Sequence, residues 1–287
     1  MSEVTHPAEL LIHQYMSDAI IGKSTMSEEV IGQVGKDVMD ALRKQFGSGE
    51  NRKGFRLRMS NLGRPTCQLW FEKNKPEVAS SKPNNFMMNM MLGDIVEAVF
   101  KGLLKASGVK YEDPEHVTLE VGDTKISGTY DLVIDNAVDD VKSASGWSYD
   151  NKFISFETLR EGDAFGYIAQ LVGYAKAAKK KVGGWWVVNK ANGRFKYVSA
   201  SNVDLPKEMD KIKATIQTVK DNKFERCFEP VEEVFRSKPT GNKILGVSCG
   251  FCDYKDTCWD NLIVQPSVMS KAKFPKIVSY VELNATS

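Results

Sequence analysis

Asp131, Asp140 and Lys142 are the residues whose types and spacing suggest chemistry. Asp140 and Lys142 stand two apart, and on a strand such side chains share a face about 6.6 Å apart. Asp131 would arrive from the neighbouring strand. Carboxylate oxygens hold Mg²⁺ or Mn²⁺, hard cations that keep positions open for water and phosphate. Such a metal acidifies a bound water and neutralises charge on a phosphodiester, while a lysine orients or deprotonates that water. An Asp-x-Lys tripeptide is common, however, and on an exposed hairpin it would merely be solvated.

The elements around it decide. Ile126, Tyr130, Leu132 and Ile134 alternate with Ser127, Thr129, Asp131 and Asp135, the period-two pattern of a half-buried strand. Asp135-Asn136 supplies a turn, and Val138 to Ser143 returns as a second strand. Upstream, Phe86 to Phe100 reads as an apolar helix in which Met87, Met88, Met90 and Met91 are expected to fill core and Gly93 to allow close packing. On it, Glu97 is either a solvated acid or a third metal ligand aimed at the hairpin. Downstream, Asp163 to Lys181 reads as a helix with an acid at its start and lysines at its end, matching the macrodipole. Gln170 and Tyr174 lie one turn apart on it, placed to hold a phosphate backbone or simply to pack.

Other segments frame these. His116 to Val121 reads as a strand, Trp147 to Glu161 as a loop with a short helix, and Gly183 to Val188 with Arg194 to Val198 as a hairpin around Asn192-Gly193. Leu205 to Lys220 is an amphipathic basic helix. In residues 1–58, Leu10, Leu11, Tyr15, Val30, Ile31, Val34, Val38, Met39 and Leu42 recur at helical spacing, predicting a helical cap; Gly47 to Gly54 predicts a flexible basic connector.

Cys249, Cys252 and Cys258, at x2 and x5 spacing, form a ligand signal that one distant cysteine, Cys67 or Cys227, would complete. Four thiolates suit tetrahedral zinc or an iron–sulfur cluster. One Cys-x2-Cys pair plus two single cysteines tilts toward iron–sulfur, since structural zinc commonly uses two such pairs.

The chain has 287 residues and a formal charge of +2, so nucleic-acid binding would need a local basic groove. No apolar run is long enough to span a membrane, and the N-terminal residues lack the pattern of a secretory signal, so a cytoplasmic protein is expected. In that compartment five cysteines point to a metal or cluster rather than disulfides. The Asn284-Ala285-Thr286 sequon then carries no meaning.

Taken in order, Cys67, the Gly93-x3-Glu97 helix, Gly128-Thr-Tyr-Asp131, Asp140-Val-Lys142-Ser143, Gln170-Leu-Val-Gly-Tyr174 and the three clustered cysteines resemble the RecB-like branch of the PD-(D/E)xK nucleases. The likeness is to its iron–sulfur members, the CRISPR-associated and AddB-type nucleases and their phage relatives, and runs from about Ser60 to Trp259. It implies an α/β fold: a restriction-endonuclease-like core (a mixed central sheet flanked by helices) with a helical N-terminal region and a C-terminal iron–sulfur segment. The expected domains are residues 1–58, a nuclease core over 59–265 closed by the cysteines, and a tail over 266–287. The resemblance implies a Mg²⁺- or Mn²⁺-dependent DNA exonuclease of recombination, repair or phage DNA metabolism. Its substrate would be DNA that is single-stranded or has free ends, and a helicase or recombination protein a possible partner.

By the same resemblance Asp131, Asp140 and Glu97 hold the metal, Lys142 is the catalytic lysine, and Gln170 and Tyr174 steady the site and the substrate strand. Cys67, Cys249, Cys252 and Cys258 hold a 4Fe-4S cluster, with Zn²⁺ as the alternative, leaving Cys227 as a buried thiol. Such a cluster would staple the flanks of the core, since closing a long loop costs only a few kcal/mol. Two departures stand out. Glu97 occupies a position where many RecB-like members carry His, and the arginine usual after the first cysteine is absent, with Arg64 a substitute.

Gly246-Val-Ser248-Cys-Gly250 matches a serine-hydrolase elbow, but that fold needs a histidine downstream and the last histidine is His116. A structure-specific or single-strand endonuclease, or a non-catalytic iron–sulfur DNA-binding module, are the remaining alternatives; the intact Asp131, Asp140 and Lys142 argue against the last. With no phosphate loop, a helicase–nuclease in one chain is excluded.

Overall fold

The computed structural model describes residues 6–47 and 54–284. Most of the connector expected at Gly47 to Gly54, and Ala285 and Thr286 of the sequon, lie outside them. The elements run α1 (Pro7–Ile20), α2 (Glu28–Phe46), α3 (Thr66–Asn74), α4 (Asn85–Ala106), β1 (His116–Val121), β2 (Thr124–Thr129), β3 (Leu132–Ile134), β4 (Ala137–Ala144), α5 (Phe156–Glu161), α6 (Tyr167–Ala178), β5 (Lys181–Asn189), β6 (Phe195–Ser199), α7 (Leu205–Asp221), β7 (Val231–Phe235), β8 (Lys238–Ile244), α8 (Val247–Gly250), α9 (Lys255–Cys258), β9 (Ile263–Pro266) and β10 (Ile277–Glu282). The fold is mixed α/β. Among the described residues no helix is long and apolar enough to cross a membrane.

The chain divides into two compact units, one of residues up to Gly63 with Pro83–Ile216, the other of Arg64–Lys82 with the residues from Gln217 on. This differs from the expected division: the N-terminal helices belong to the unit that holds the hairpin, and Cys67 does not.

The first unit is organised by a four-stranded sheet of order β3-β4-β5-β6. Asp135 and Asn136, both with positive φ (49° and 61°), make the tight turn that joins β3 to β4. β4 and β5 pair in parallel, while β3–β4 and β5–β6 are antiparallel. A parallel pair needs a long crossover, and α5 and α6 supply it. Alternation along the strands gives each sheet face its own core. Val138, Trp185 and Val187 pack with Leu171 and Val172 of α6. Leu132, Val141, Trp186 and Tyr197 pack with Ile12 of α1 and with Phe100 and Leu104 of α4. Each fully buried side chain of this size contributes roughly 1.5–3 kcal/mol.

Three expectations here are corrected. The strand expected through Ile134 breaks at Tyr130–Asp131, so that β2 pairs with β1 in a separate ribbon and only β3 pairs with β4. The helix expected from Asp163 to Lys181 is shorter, because Gly166 (φ 74°) and Lys179 (φ 55°) adopt left-handed conformations that stop it at each end. Met87, Met88 and Met90 are 43%, 51% and 43% exposed rather than core. Gly93 has open space where a side chain would go; the close approach is at Gly102, where an added Cβ would lie 2.4 Å from Val34 Cγ2 of α2.

In the second unit, β7 to β10 form an antiparallel sheet of order β7-β8-β10-β9. The segment expected to be a tail therefore carries an inner strand, with Tyr280 fully buried. The buried Glu233 carboxylate accepts hydrogen bonds from Asn242 (2.7 Å), Thr240 (3.0 Å) and Tyr280 (3.1 Å), so this polar group is satisfied inside the sheet. Phe71 of α3 stacks on Tyr254 at 5.2 Å and meets Phe224 edge-on at 5.2 Å.

Candidate active site

β4 carries the expected residues with the expected parity. Lys142 Nζ lies 2.5 Å from Asp140 Oδ2, an ion pair that needs both side chains on one face. Asp131, just before β3, turns its carboxylate to β4, where Oδ2 accepts the Val141 N–H at 2.8 Å. Glu97 comes from α4 and pairs with Lys101, one turn on, at 2.5 Å.

These groups feel one another's charge inside the protein. Burial, then repulsion from Asp140, pushes Asp131 up to about 6. Asp140 is raised by burial against the pull of Lys142, and Glu97 is raised by burial and by Asp131. Burial opposes the charge on Lys142, but Asp140 and Asp131 outweigh it and hold the ammonium above the usual lysine range. The structure thus brings Glu97, Asp131, Asp140 and Lys142 together as one electrostatic set. Among the described residues no three His, Cys, Asp or Glu side chains are arranged to hold a metal ion.

The chemistry of the donors nonetheless fits a hard cation. Three carboxylates are partly or fully buried together, each disfavoured as an anion chiefly by burial and further by a neighbouring carboxylate. Asp140 Oδ2 is buried and, apart from its ion pair, satisfies no directed hydrogen bond. A divalent ion relieves both conditions.

Tyr174 is buried, and its hydroxyl is hydrogen-bonded by Gln170; burial lifts it to about 12. Its ring explains Gly128. A Cβ there would lie 2.8 Å from the Tyr174 hydroxyl and 2.9 Å from Cε1, so only glycine lets β2 pass at this point. The Gly128-x2-Asp131 and Gln170-x3-Tyr174 spacings are two halves of one contact. Gly128→Ala is accordingly expected to cost about 1–3 kcal/mol by overpacking, read as a lowered melting temperature. Part of that cost should vanish in a Tyr174→Ala background, because the two residues share the contact, while Met59 Cγ, 3.0 Å from the added Cβ, keeps the rest.

Sequence reasoning missed Lys101 and Asp139. Lys101 had a signal in its i,i+4 spacing from Glu97. Asp139 points opposite to Asp140 and is 1% exposed. It accepts hydrogen bonds from Gly184 N (2.8 Å), Tyr197 Oη (2.8 Å) and Trp186 Nε1 (3.2 Å). Its carboxylate fills the space beside Gly183, where a Cβ would lie 2.0 Å from Oδ1.

Burial raises Asp139 to about 7 despite these donors. A raised acid binds its proton more tightly folded than unfolded, so its contribution to stability falls as pH rises from about 4 to 7. Acidifying metal-free protein from pH 7 to about 5.5 should therefore gain about 2 kcal/mol from this group alone. Denaturant melts over that range should show the slope, and Asp139→Asn should reduce it, leaving the part that Asp131, also raised, contributes.

The five cysteines all lie in the second unit. Cys67, Cys249, Cys252 and Cys258 line one small cavity with Phe71, Phe228 and Trp259. Cys227 was expected to be a buried thiol, but it is exposed and sits against Cys67. Its sulfur accepts the Cys67 N–H at 3.0 Å and contacts Thr66 Oγ1 at 3.3 Å. The Cys67 thiol hydrogen-bonds it and draws Cys227 down to about 6, while Cys67 itself is raised. Arg226 reaches back to the Cys258 carbonyl at 2.7 Å. Because Cys227 lies so close in sequence to Arg226 and so far from Cys67, nothing in its spacing showed where it would fall.

No protein-family model matches the sequence, and no curated protein matches it. A solved structure titled "Crystal structure of SSO0001" aligns over 80% of this chain and 96% of its own, at 14% identity and a TM-score of 0.40, too low for the likeness to carry a fold or a function.

Proposed function

We propose that the first unit is a restriction-endonuclease-like core of the RecB-like PD-(D/E)xK type and acts as a Mg²⁺- or Mn²⁺-dependent DNA exonuclease. The observation that supports this reading is the set of Asp131, Asp140 and Glu97, buried at Asp140 and half-buried at the other two, around Lys142, whose ammonium lies 2.5 Å from Asp140. No such concentration of buried charge is needed to hold a sheet together, and it is costly unless a function uses it.

Asp131, Asp140 and Glu97 would hold the metal. When bound, the metal supplies a water acidified for attack and positive charge for the phosphate oxygens. The protein's own groups do the rest. Lys142, held protonated by two carboxylates, orients a water or a phosphate oxygen as a donor rather than taking a proton. The Val141 N–H fixes Asp131. Gln170 and Tyr174 fix the β2 segment that leads into Asp131, so the carboxylate cannot drift when substrate arrives.

In the second unit Cys67, Cys249, Cys252 and Cys258 would hold a 4Fe-4S cluster, or zinc in the alternative, with a structural role. Thiolates that share one cavity are the donors either group requires. A DNA substrate with a single-stranded segment or a free end fits this chemistry, as does a cytoplasmic setting with a helicase or recombination partner.

Purified protein should be incubated with end-labelled linear DNA and with covalently closed circles, in Mg²⁺, Mn²⁺ or EDTA. Release of the end label from linear DNA, dependent on the metal and sparing the circles, supports an exonuclease. Nicked circles would mean an endonuclease. Both substrates intact in either metal would overturn the reading.

A further inference from the structure

Beside Lys142 lies a series of aromatic rings, with the ammonium of Lys152, that the hydrolytic chemistry leaves unused. Phe165 and Tyr167 are offset-stacked at 5.7 Å and 23°, and Tyr167 and Phe153 at 6.0 Å and 24°. Lys152 Nζ stands 4.9 Å from the centre of the Phe165 ring and 4.8 Å from that of Tyr167. Lys142 Nζ is 5.1 Å from the same Tyr167 ring. Tyr167 thus lies next to two ammoniums, one of them the site's own.

The rings run from core to solvent. Phe153 is buried, Tyr167 is half-buried, and Phe165 is 44% exposed. The outer ring is nonetheless presented from a rigid turn. The Asp163 carboxylate accepts the N–H groups of Tyr167 and Ile168, both at 2.9 Å. The next residue after Phe165, Gly166, is left-handed (φ 74°) and packs so closely on Gly63 that a Cβ would lie 2.3 Å from the Gly63 Cα.

Ammoniums neutralise phosphates, and aromatic faces take bases. Together they complement a strand whose bases are free to stack, whereas a duplex keeps those faces inside and offers mainly its phosphates. We propose that Phe165, Tyr167 and Lys152 form a stacking platform for an unpaired DNA strand, seating a base on Phe165 and leading the strand to Lys142. This rests on the nuclease reading and adds its selectivity for single strands.

The test is fluorescence anisotropy with Ca²⁺ replacing Mg²⁺, using labelled oligothymidylate, an abasic strand of the same length and a blunt duplex. Wild type should bind oligothymidylate about tenfold or more tighter than the abasic strand and the duplex. Phe165→Leu should lose that preference and Phe165→Trp should keep it, with melting temperatures checked for each variant. Lys152→Gln, a second and independent variant, should reduce the slope of log affinity against log salt by about 0.7. Equal binding of the abasic strand, preference for the duplex, or a folded Phe165→Leu that binds like wild type would each overturn the proposal. The nuclease reading is scored separately, by cleavage in Mg²⁺. Phe165-dependent binding without cleavage would leave the platform and remove the nuclease; cleavage with Phe165-independent binding would do the reverse.

Discussion

Replacing Lys142 with alanine is expected to abolish metal-dependent DNA cleavage, by about a hundred- to ten-thousand-fold, while DNA binding in Ca²⁺ persists. The expectation follows from where the ammonium sits. Its 2.5 Å pairing with Asp140 and its field at Asp131 make it the ammonium that serves both aspartates of the set. Without it, Asp140 loses its ion-pair partner, and the ammonium that remains, Lys101, is paired with Glu97. Loss of one partner of a buried pair also leaves a charge uncompensated, at a cost of about 3–5 kcal/mol. Part of that cost is avoided if Asp131, already raised to about 6, takes up a proton.

A test of stability therefore separates the two roles of the lysine. Metal-free Lys142→Ala should melt below wild type, and Mg²⁺ should restore more stability to the variant than to wild type, since the cation replaces the missing charge. Cleavage should not return with it. Turnover within tenfold of wild type, in a preparation free of contaminating nuclease, would remove Lys142 from the mechanism.

Much of this arrangement is legible in the sequence, and the reasons are local. Asp140 and Lys142 share a face because strand side chains repeat every two residues, and Asp135-Asn136 is a turn because both residues tolerate positive φ. Adjacent acids are harder to assign. Only the parity that pairs Asp140 with Lys142 separates it from Asp139, whose carboxylate serves Gly184, Trp186 and Tyr197 instead.

What stayed hidden depends on distant parts of the chain. Met87, Met88 and Met90 have the hydrophobicity of core residues, yet no periodicity says whether another element covers them. The second unit's sheet escapes for a related reason: β10 pairs with β8 across more than thirty intervening residues, with a shift of register between Tyr280 and Glu282. Gly128 and Tyr174 were visible as separate motifs, but their contact exists only once β2 and α6 are packed.

The cysteine site carries the other large expected effect. Protein purified without oxygen should be brown and contain about four irons per chain, and Cys249→Ala should lose colour, iron and most of its soluble yield. The size of the loss follows from linkage: a structural metal site forms only in the folded chain, so its binding free energy, on the order of 10 kcal/mol, is folding free energy. The second unit has reason to depend on it, since α8 and α9, which hold Cys249 and Cys258 with Cys252 in the link between them, are single turns of four residues each. Helices so short are not stable by themselves. Cys227→Ser makes the assignment specific. Cys227 and Cys67 stand together, with sulfur 3.0 Å from the Cys67 nitrogen, so either could serve as the fourth ligand. If Cys67 is that ligand, Cys227→Ser keeps its iron and Cys67→Ser loses it. The opposite result would move the ligand to the exposed cysteine, and colourless wild type with one zinc per chain and full activity would remove the cluster altogether.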